Sequence, residues 1–205
     1  MTATPETLVI FLHGVGSKGH DLEFLAEALA PALPAPAFAA PNAPNLFDAG
    51  RSGYQWFSVS GVNDANRAER VRDAREGFDR VVVSEIERHG FLDRLDRVAL
   101  FGFSQGAILS LDALARGRWP VGAVVAASGR LVIPPGPAPA SATPLLLLHG
   151  SEDRIVPAVE TPAAQKALEA VGFSVEAHVY SGLGHTLSPQ GVSAARDFLA
   201  RTLGR

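Results

Sequence analysis

The sequence predicts an α/β protein: a mostly parallel central sheet of about six strands flanked by helices. Short apolar runs alternate along the chain with longer segments of helical period, which is the signature of βαβ units. The runs are apolar throughout rather than at every second residue, as in strands covered on both faces. At 205 residues, 47% hydrophobic and 19% charged, the chain has a globular composition and the length of a single domain spanning residues 1–205.

The candidate strands are residues 8–12, 37–40, 98–103, 121–127, 145–149 and 175–181. The first helix follows from Leu22, Leu25 and Leu29, a stripe that Pro31 ends. Asn66, with Glu69 after it, resembles a capping box, and Val71, Ala74, Phe78, Val82 and Ile86 keep a helical spacing until Gly90. Ile108, Leu111 and Leu114 repeat that pattern ahead of Gly117, as do Ala164, Leu168 and Val171 ahead of Gly172. Ser188-Pro189 announces the last helix, an N-cap followed by proline at the first helical position, with Val192, Ala195 and Leu199 inward. Two stretches read as irregular. Residues 41–63 carry Tyr54, Trp56 and Phe57, and residues 129–144 are rich in proline and alanine. Loops of this length in a compact domain are functional or mobile.

A formal net charge of -3 leaves no basic excess for a nucleic-acid backbone or an anionic membrane. With no cysteine, disulfides, thiolate metal sites and a cysteine nucleophile are all excluded. The polar start and the short apolar run at residues 8–12 fit neither a signal-peptide core nor a membrane span. A cytoplasmic protein with no stable membrane insertion is expected.

Gly102-Phe103-Ser104-Gln105-Gly106 is a G-x-S-x-G pentapeptide. In a chain of this composition it arises by chance roughly one time in ten, so its context carries the inference. A strand precedes it and a helix follows, the setting of a nucleophile elbow, in which the glycines admit a close approach of strand and helix. A serine hydroxyl needs a base to take its proton and an acid to orient that base, in the chain order Ser, Asp or Glu, His. Among the later histidines, His149 ends a strand and His178 alternates within one, whereas His185 stands in a glycine turn past the last strand. His185 is the expected base. Glu152 and Asp153 both occupy the turn after residues 145–149; Asp153 is the favoured acid and Glu152 its alternative. The oxyanion donors are the backbone N–H groups of Gln105, at a helix N-terminus, and of Val15, in the turn after the first strand. His13, just before that turn, reads as a brace. The run Gly14-Val15-Gly16-Ser17-Lys18-Gly19 lacks both phosphate-loop and dinucleotide-loop spacing, and no metal-ligand spacing occurs, so no cofactor or metal is expected.

Together these residues resemble the bacterial carboxylesterase, phospholipase and acyl-protein thioesterase group of the α/β-hydrolase fold, nearly end to end. The resemblance is carried by residues 11–16, 41–45, Gln55-Trp56-Phe57, the serine pentapeptide, His149-Gly150-Ser151-Glu152-Asp153 with Val156-Pro157, and Gly184-His185. It implies that Trp56, Phe57 and Leu183 line the acyl site. Ala107 departs from the pattern, standing where the family usually has a further glycine. The expected activity is hydrolysis of carboxylic esters through an acyl-enzyme on Ser104, with thioesters or lysophospholipids as alternative substrates. A serine peptidase and a non-catalytic binding protein are the rivals. The expected partner is a small acyl ester or thioester, not nucleic acid, in a monomer or homodimer.

Overall fold

A computed structural model of the chain describes residues 4–136 and 143–204. Its strands are β1 (Thr7–Leu12), β2 (Pro36–Ala39), β3 (Asn45–Leu46), β4 (Tyr54–Gln55), β5 (Val98–Phe103), β6 (Ala123–Ala127), β7 (Leu145–Gly150) and β8 (Val175–Tyr180). Its α-helices are α1 (Phe24–Leu29), α2 (Arg67–Arg88), α3 (Gln105–Ala115), α4 (Glu160–Glu169) and α5 (Pro189–Leu203). Six strands form one sheet in the order β2-β1-β5-β6-β7-β8, and every pairing in it is parallel.

The apolar runs become strands because both faces of the sheet are covered. In β1, Leu8, Ile10 and Leu12 enter one core with Val71, Phe78 and Val82 of α2 and Leu111 of α3. Val9 and Phe11 enter the opposite core with Leu25 and Leu29 of α1 and Ala195 and Leu199 of α5. Each such side chain contributes about 1.5–3 kcal/mol when buried, so a strand with no polar face is held from both sides. The chain runs from β1 outward to β2, then returns to place β5 on the other side of β1. The reversal opens a crevice at the carboxyl ends of β1 and β5, the place where parallel sheets bind ligands.

The six predicted strands appear with ends shifted by no more than two residues. The largest shift is at β6, where Gly122 donates its N–H to the carbonyls of Leu95 and Val98 and the ladder starts one residue later, at Ala123. Gly90, Gly117 and Gly172, expected to stop helices, take left-handed φ of 75°, 63° and 94°. Ser188 caps α5 as expected, its hydroxyl accepting the Gly191 N–H at 3.0 Å.

The expected capping box at Asn66 does not form. Asn66 is already helical, at φ −108° and ψ −8°, and its amide instead donates to the Gly61 carbonyl. Asn63 takes over the work, its carboxamide oxygen accepting the N–H groups of Ala65 and Asn66 at 3.0 and 3.2 Å. Pro31 does not end the first helix directly; it lies within a short 3-10 turn, Ala30–Ala32.

The 41–63 stretch holds the antiparallel ribbon of β3 and β4, which the sequence did not announce. Tyr54 donates its N–H to Ser17 and accepts the Gly16 N–H, each at 2.8 Å, so this loop is stitched to the turn after β1. Residues 129–136 form no helix or strand, and 137–142, the middle of the proline-rich stretch, lie outside the described residues. Among the described residues no helix is long and apolar enough to cross a membrane.

Candidate active site

β5 ends at Phe103 and α3 begins at Gln105, so Ser104 alone makes the turn between them. It does so at φ 54° and ψ −114°, backbone that a residue with a side chain adopts only at a cost of about 1–3 kcal/mol. The flanking glycines permit it. A Cβ on Gly106 would lie 2.0 Å from the Leu12 carbonyl oxygen, and one on Gly102 would lie 2.5 Å from the Ala107 nitrogen. Ser104 donates its N–H to Ala127 at the end of β6, which fixes the turn to the sheet edge. The methyl of Ala107 packs against Gly129, where an added Cβ would sit 2.6 Å away.

His185 Nε2 lies 3.0 Å from Ser104 Oγ, and His185 Nδ1 lies 2.6 Å from Asp153 Oδ2. A carboxylate only accepts, so Nδ1 carries the proton and the Nε2 lone pair faces the serine hydroxyl. The second carboxylate oxygen, Oδ1, accepts the N–H groups of Ile155 and Val156 at 2.9 and 2.8 Å. Burial opposes ionisation of Asp153, but the hydrogen bonds from His185, Val156 and Ile155 outweigh it and hold the carboxyl below the usual aspartate range. Of the two acids considered for this turn, Asp153 faces the histidine, while Glu152 is exposed and uses its backbone N–H on the Leu183 carbonyl.

That backbone bond belongs to a set that binds the acid loop to the histidine turn. Gly182 donates its N–H to Ser151 Oγ, and Ser151 donates its own to Tyr180. The imidazole of His185 leans on Phe103, with ring centroids 5.1 Å apart. Strands β5, β7 and β8 therefore each deliver one member of the Ser–His–Asp array to the same edge.

The turn after β1 lies against the serine: a Cβ on Gly14 would come within 3.1 Å of Ser104 Cβ. The N–H groups of Val15 and Gln105 enter none of the hydrogen bonds among the described residues. His13 holds this turn from within the core. Its Nδ1–H donates to the Gly14 carbonyl at 2.7 Å, and its Nε2 accepts the Ala43 N–H at 2.9 Å. Burial pushes its imidazole below the usual histidine range, against the opposing pull of the Gly14 bond and of Asp21.

The aromatic loop is tied to the serine motif by a contact that sequence spacing does not reveal. Gln105 Oε1 accepts the Trp56 N–H at 3.0 Å, and Gln105 Nε2 donates to the Phe57 carbonyl at 2.8 Å. Trp56 itself is 1% exposed, its indole N–H donating to the His13 carbonyl and its ring packed on Phe78. Phe57 is also buried, whereas Leu183 is partly open to solvent on the histidine turn.

An all-parallel sheet with a strained serine at the end of β5, and an acid and a histidine after β7 and β8, defines a protein of the α/β-hydrolase fold. Residues 2–203 match the phospholipase/carboxylesterase family, and the chain belongs to it. It is a carboxylesterase-type hydrolase. The chain is 31% identical to esterase YpfH of Escherichia coli (strain K12) over 200 residues, covering 97% of this chain and 84% of that protein. It is 24% identical to acyl-protein thioesterase 1 of Neurospora crassa, over 95% of this chain and 86% of the relative. The crystal structure of esterase PE8 superposes with a TM-score of 0.88 at 31% identity, covering 98% of this chain and 95% of that one.

Proposed function

We propose that this chain hydrolyses carboxylic esters of small acyl compounds, with Ser104 as nucleophile, His185 as general base and acid, and Asp153 as the group that orients the imidazole. The observation that carries the reading is the continuous array from Ser104 Oγ to His185 Nε2, 3.0 Å, and from His185 Nδ1 to Asp153 Oδ2, 2.6 Å. Ser104 Oγ attacks the ester carbonyl carbon while His185 Nε2 takes the hydroxyl proton. The Val15 and Gln105 N–H groups, uncommitted among the described residues, receive the oxyanion. The carbonyl–oxygen bond to the alcohol breaks as His185 returns the proton to the leaving group. Water then adds to the acyl-enzyme, giving its proton to the same nitrogen, and release of the acid restores Ser104.

Trp56 is assigned to bracing the oxyanion turn rather than to the acyl site, because its ring is enclosed and its N–H is spent on His13. Phe57, whose carbonyl is held by Gln105, and Leu183, partly open to solvent on the histidine turn, support an acyl rather than a polar substrate. The chain is read as one catalytic domain, acting in the cytoplasm as a monomer or homodimer.

Ser104→Ala is expected to abolish hydrolysis of nitrophenyl esters and labelling by a fluorophosphonate while leaving cooperative unfolding intact. Retained turnover in that variant would overturn the assignment. The likeness to a fungal acyl-protein thioesterase favours a second substrate type at the same site, thioesters. Matched oxygen esters and thioesters of one acyl group distinguish the two: kcat/KM higher for the sulfur compound identifies a thioesterase.

A further inference from the structure

His149 is the residue before the last of β7, with its side chain wholly enclosed, and no step of the proposed chemistry uses it. Its Nε2 lies 2.9 Å from the Val156 carbonyl oxygen and 3.2 Å from Asp153 Oδ2. Both neighbours of that nitrogen are acceptors, so it carries the proton. Nδ1 is then an acceptor, and it lies 2.8 Å from Thr161 Oγ1, a hydroxyl able to donate. The tautomer is thereby set by the Val156 carbonyl and the Asp153 carboxylate, and Thr161, near the start of α4, completes it by donating its hydroxyl to Nδ1.

The shorter contact matters most. Val156 donates its N–H to Asp153 Oδ1 and presents its carbonyl to His149, so one peptide-linked residue is gripped from both ends. Asp153 Oδ2 is shared in turn between the His149 side and His185. We infer that His149 is a positioning residue: with Thr161 behind it, it locks the 153–156 turn and so holds the carboxylate in the place from which Asp153 orients His185. This inference rests on the proposed roles of Ser104, His185 and Asp153. It gives the buried imidazole a task besides filling space, since a leucine would fill much of the volume but could not hold the Val156 carbonyl.

The test uses the intact chain with His149→Leu, His149→Gln and Thr161→Val. A glutamine amide can present an N–H near the position of the imidazole Nε2–H, whereas leucine presents none. His149→Leu is expected to lower kcat tenfold or more at unchanged KM, because misplacement of a catalytic group by about 1 Å costs up to roughly a hundredfold. The far-downfield proton resonance of the His185–Asp153 hydrogen bond should move or broaden in that variant. His149→Gln should restore both readouts toward wild type. A folded His149→Leu protein with wild-type kcat and an unmoved resonance would overturn the inference, as would equal loss in the leucine and glutamine variants. If His149→Leu does not fold, Thr161→Val decides. A severalfold loss of kcat with a displaced resonance supports the lock, and wild-type values for both refute it. Ser104→Ala in parallel separates the two levels: activity in that variant refutes the proposed nucleophile, whatever the His149 variants do.

Discussion

Asp153 is the residue on which geometry and charge converge. Both of its oxygens are hydrogen-bonded, and His185 Nδ1 can keep its proton only while the group facing it accepts. Asp153→Asn offers an amide of the same shape whose NH2 group favours the wrong imidazole tautomer. A fall in kcat on the order of a thousandfold or more is expected, with KM little changed. The same residue has a thermodynamic signature. Folding lowers the Asp153 pKa, so the unfolded chain binds the proton more readily. The stability this contributes is complete above the unfolded aspartate value of about 3.9 and is lost as pH falls through the lower folded value. Urea midpoints followed from neutral pH to pH 3 should therefore show the gap between wild type and Asp153→Asn closing at the acid end.

At the level of elements, the elbow between β5 and α3 depends on how closely the helix start approaches β1. Gly106→Ala would drive a methyl to 2.0 Å from the Leu12 carbonyl oxygen, a clash with backbone that no rotamer relieves. The variant is expected to unfold at markedly lower temperature than wild type and to label slowly with fluorophosphonate. At α5 the effect is smaller and of a different kind. Ser188→Ala removes the acceptor for the Gly191 N–H at 3.0 Å. A loss of about 1 kcal/mol follows, read as roughly 2–4 °C in Tm for a chain of this size, with activity unchanged.

Across the molecule, the long helix α2 is fastened to α3 by an ion network as well as by packing. Asp112, 2% exposed, accepts from Arg75 at 2.8 Å through both oxygens and from Arg118 at 2.7 Å. Arg118 also reaches Asp79, which accepts the indole N–H of Trp119 at 2.7 Å. Asp112→Ala leaves two guanidinium groups without their shared partner. Because both arginines are partly solvated, the expected cost is about 3 kcal/mol, the low end for breaking a buried pair, measured by urea unfolding. Ser104 precedes the first residue of α3 while Asp112 lies in the C-terminal half of that helix, so kcat at a temperature where the variant is folded should be nearly that of wild type.

The strands of the main sheet were legible because burial on both faces leaves continuous apolar runs. The helices were legible because one buried face repeats at helical spacing and left-handed glycines end it. Ser104 and His185 were legible for a related reason: each must follow a strand, and glycine must flank the tight turns. Other features were not legible. The Asn66 cap gave way to Asn63 because backbone geometry there was already helical. The link from Gln105 to Trp56 spans 49 residues, and the bond from His149 to Thr161 joins a strand end to a helix start. No local spacing encodes such contacts. The sequence by itself determined the sheet, the order of the Ser–Asp–His array and the family, since these are written in burial pattern and motif. Only the tertiary structure set Asp153, already the favoured acid, at 2.6 Å from His185, enclosed Trp56 and joined His149 to Thr161, because hydrogen bonds between segments apart in the chain are decided by how the strand ends meet.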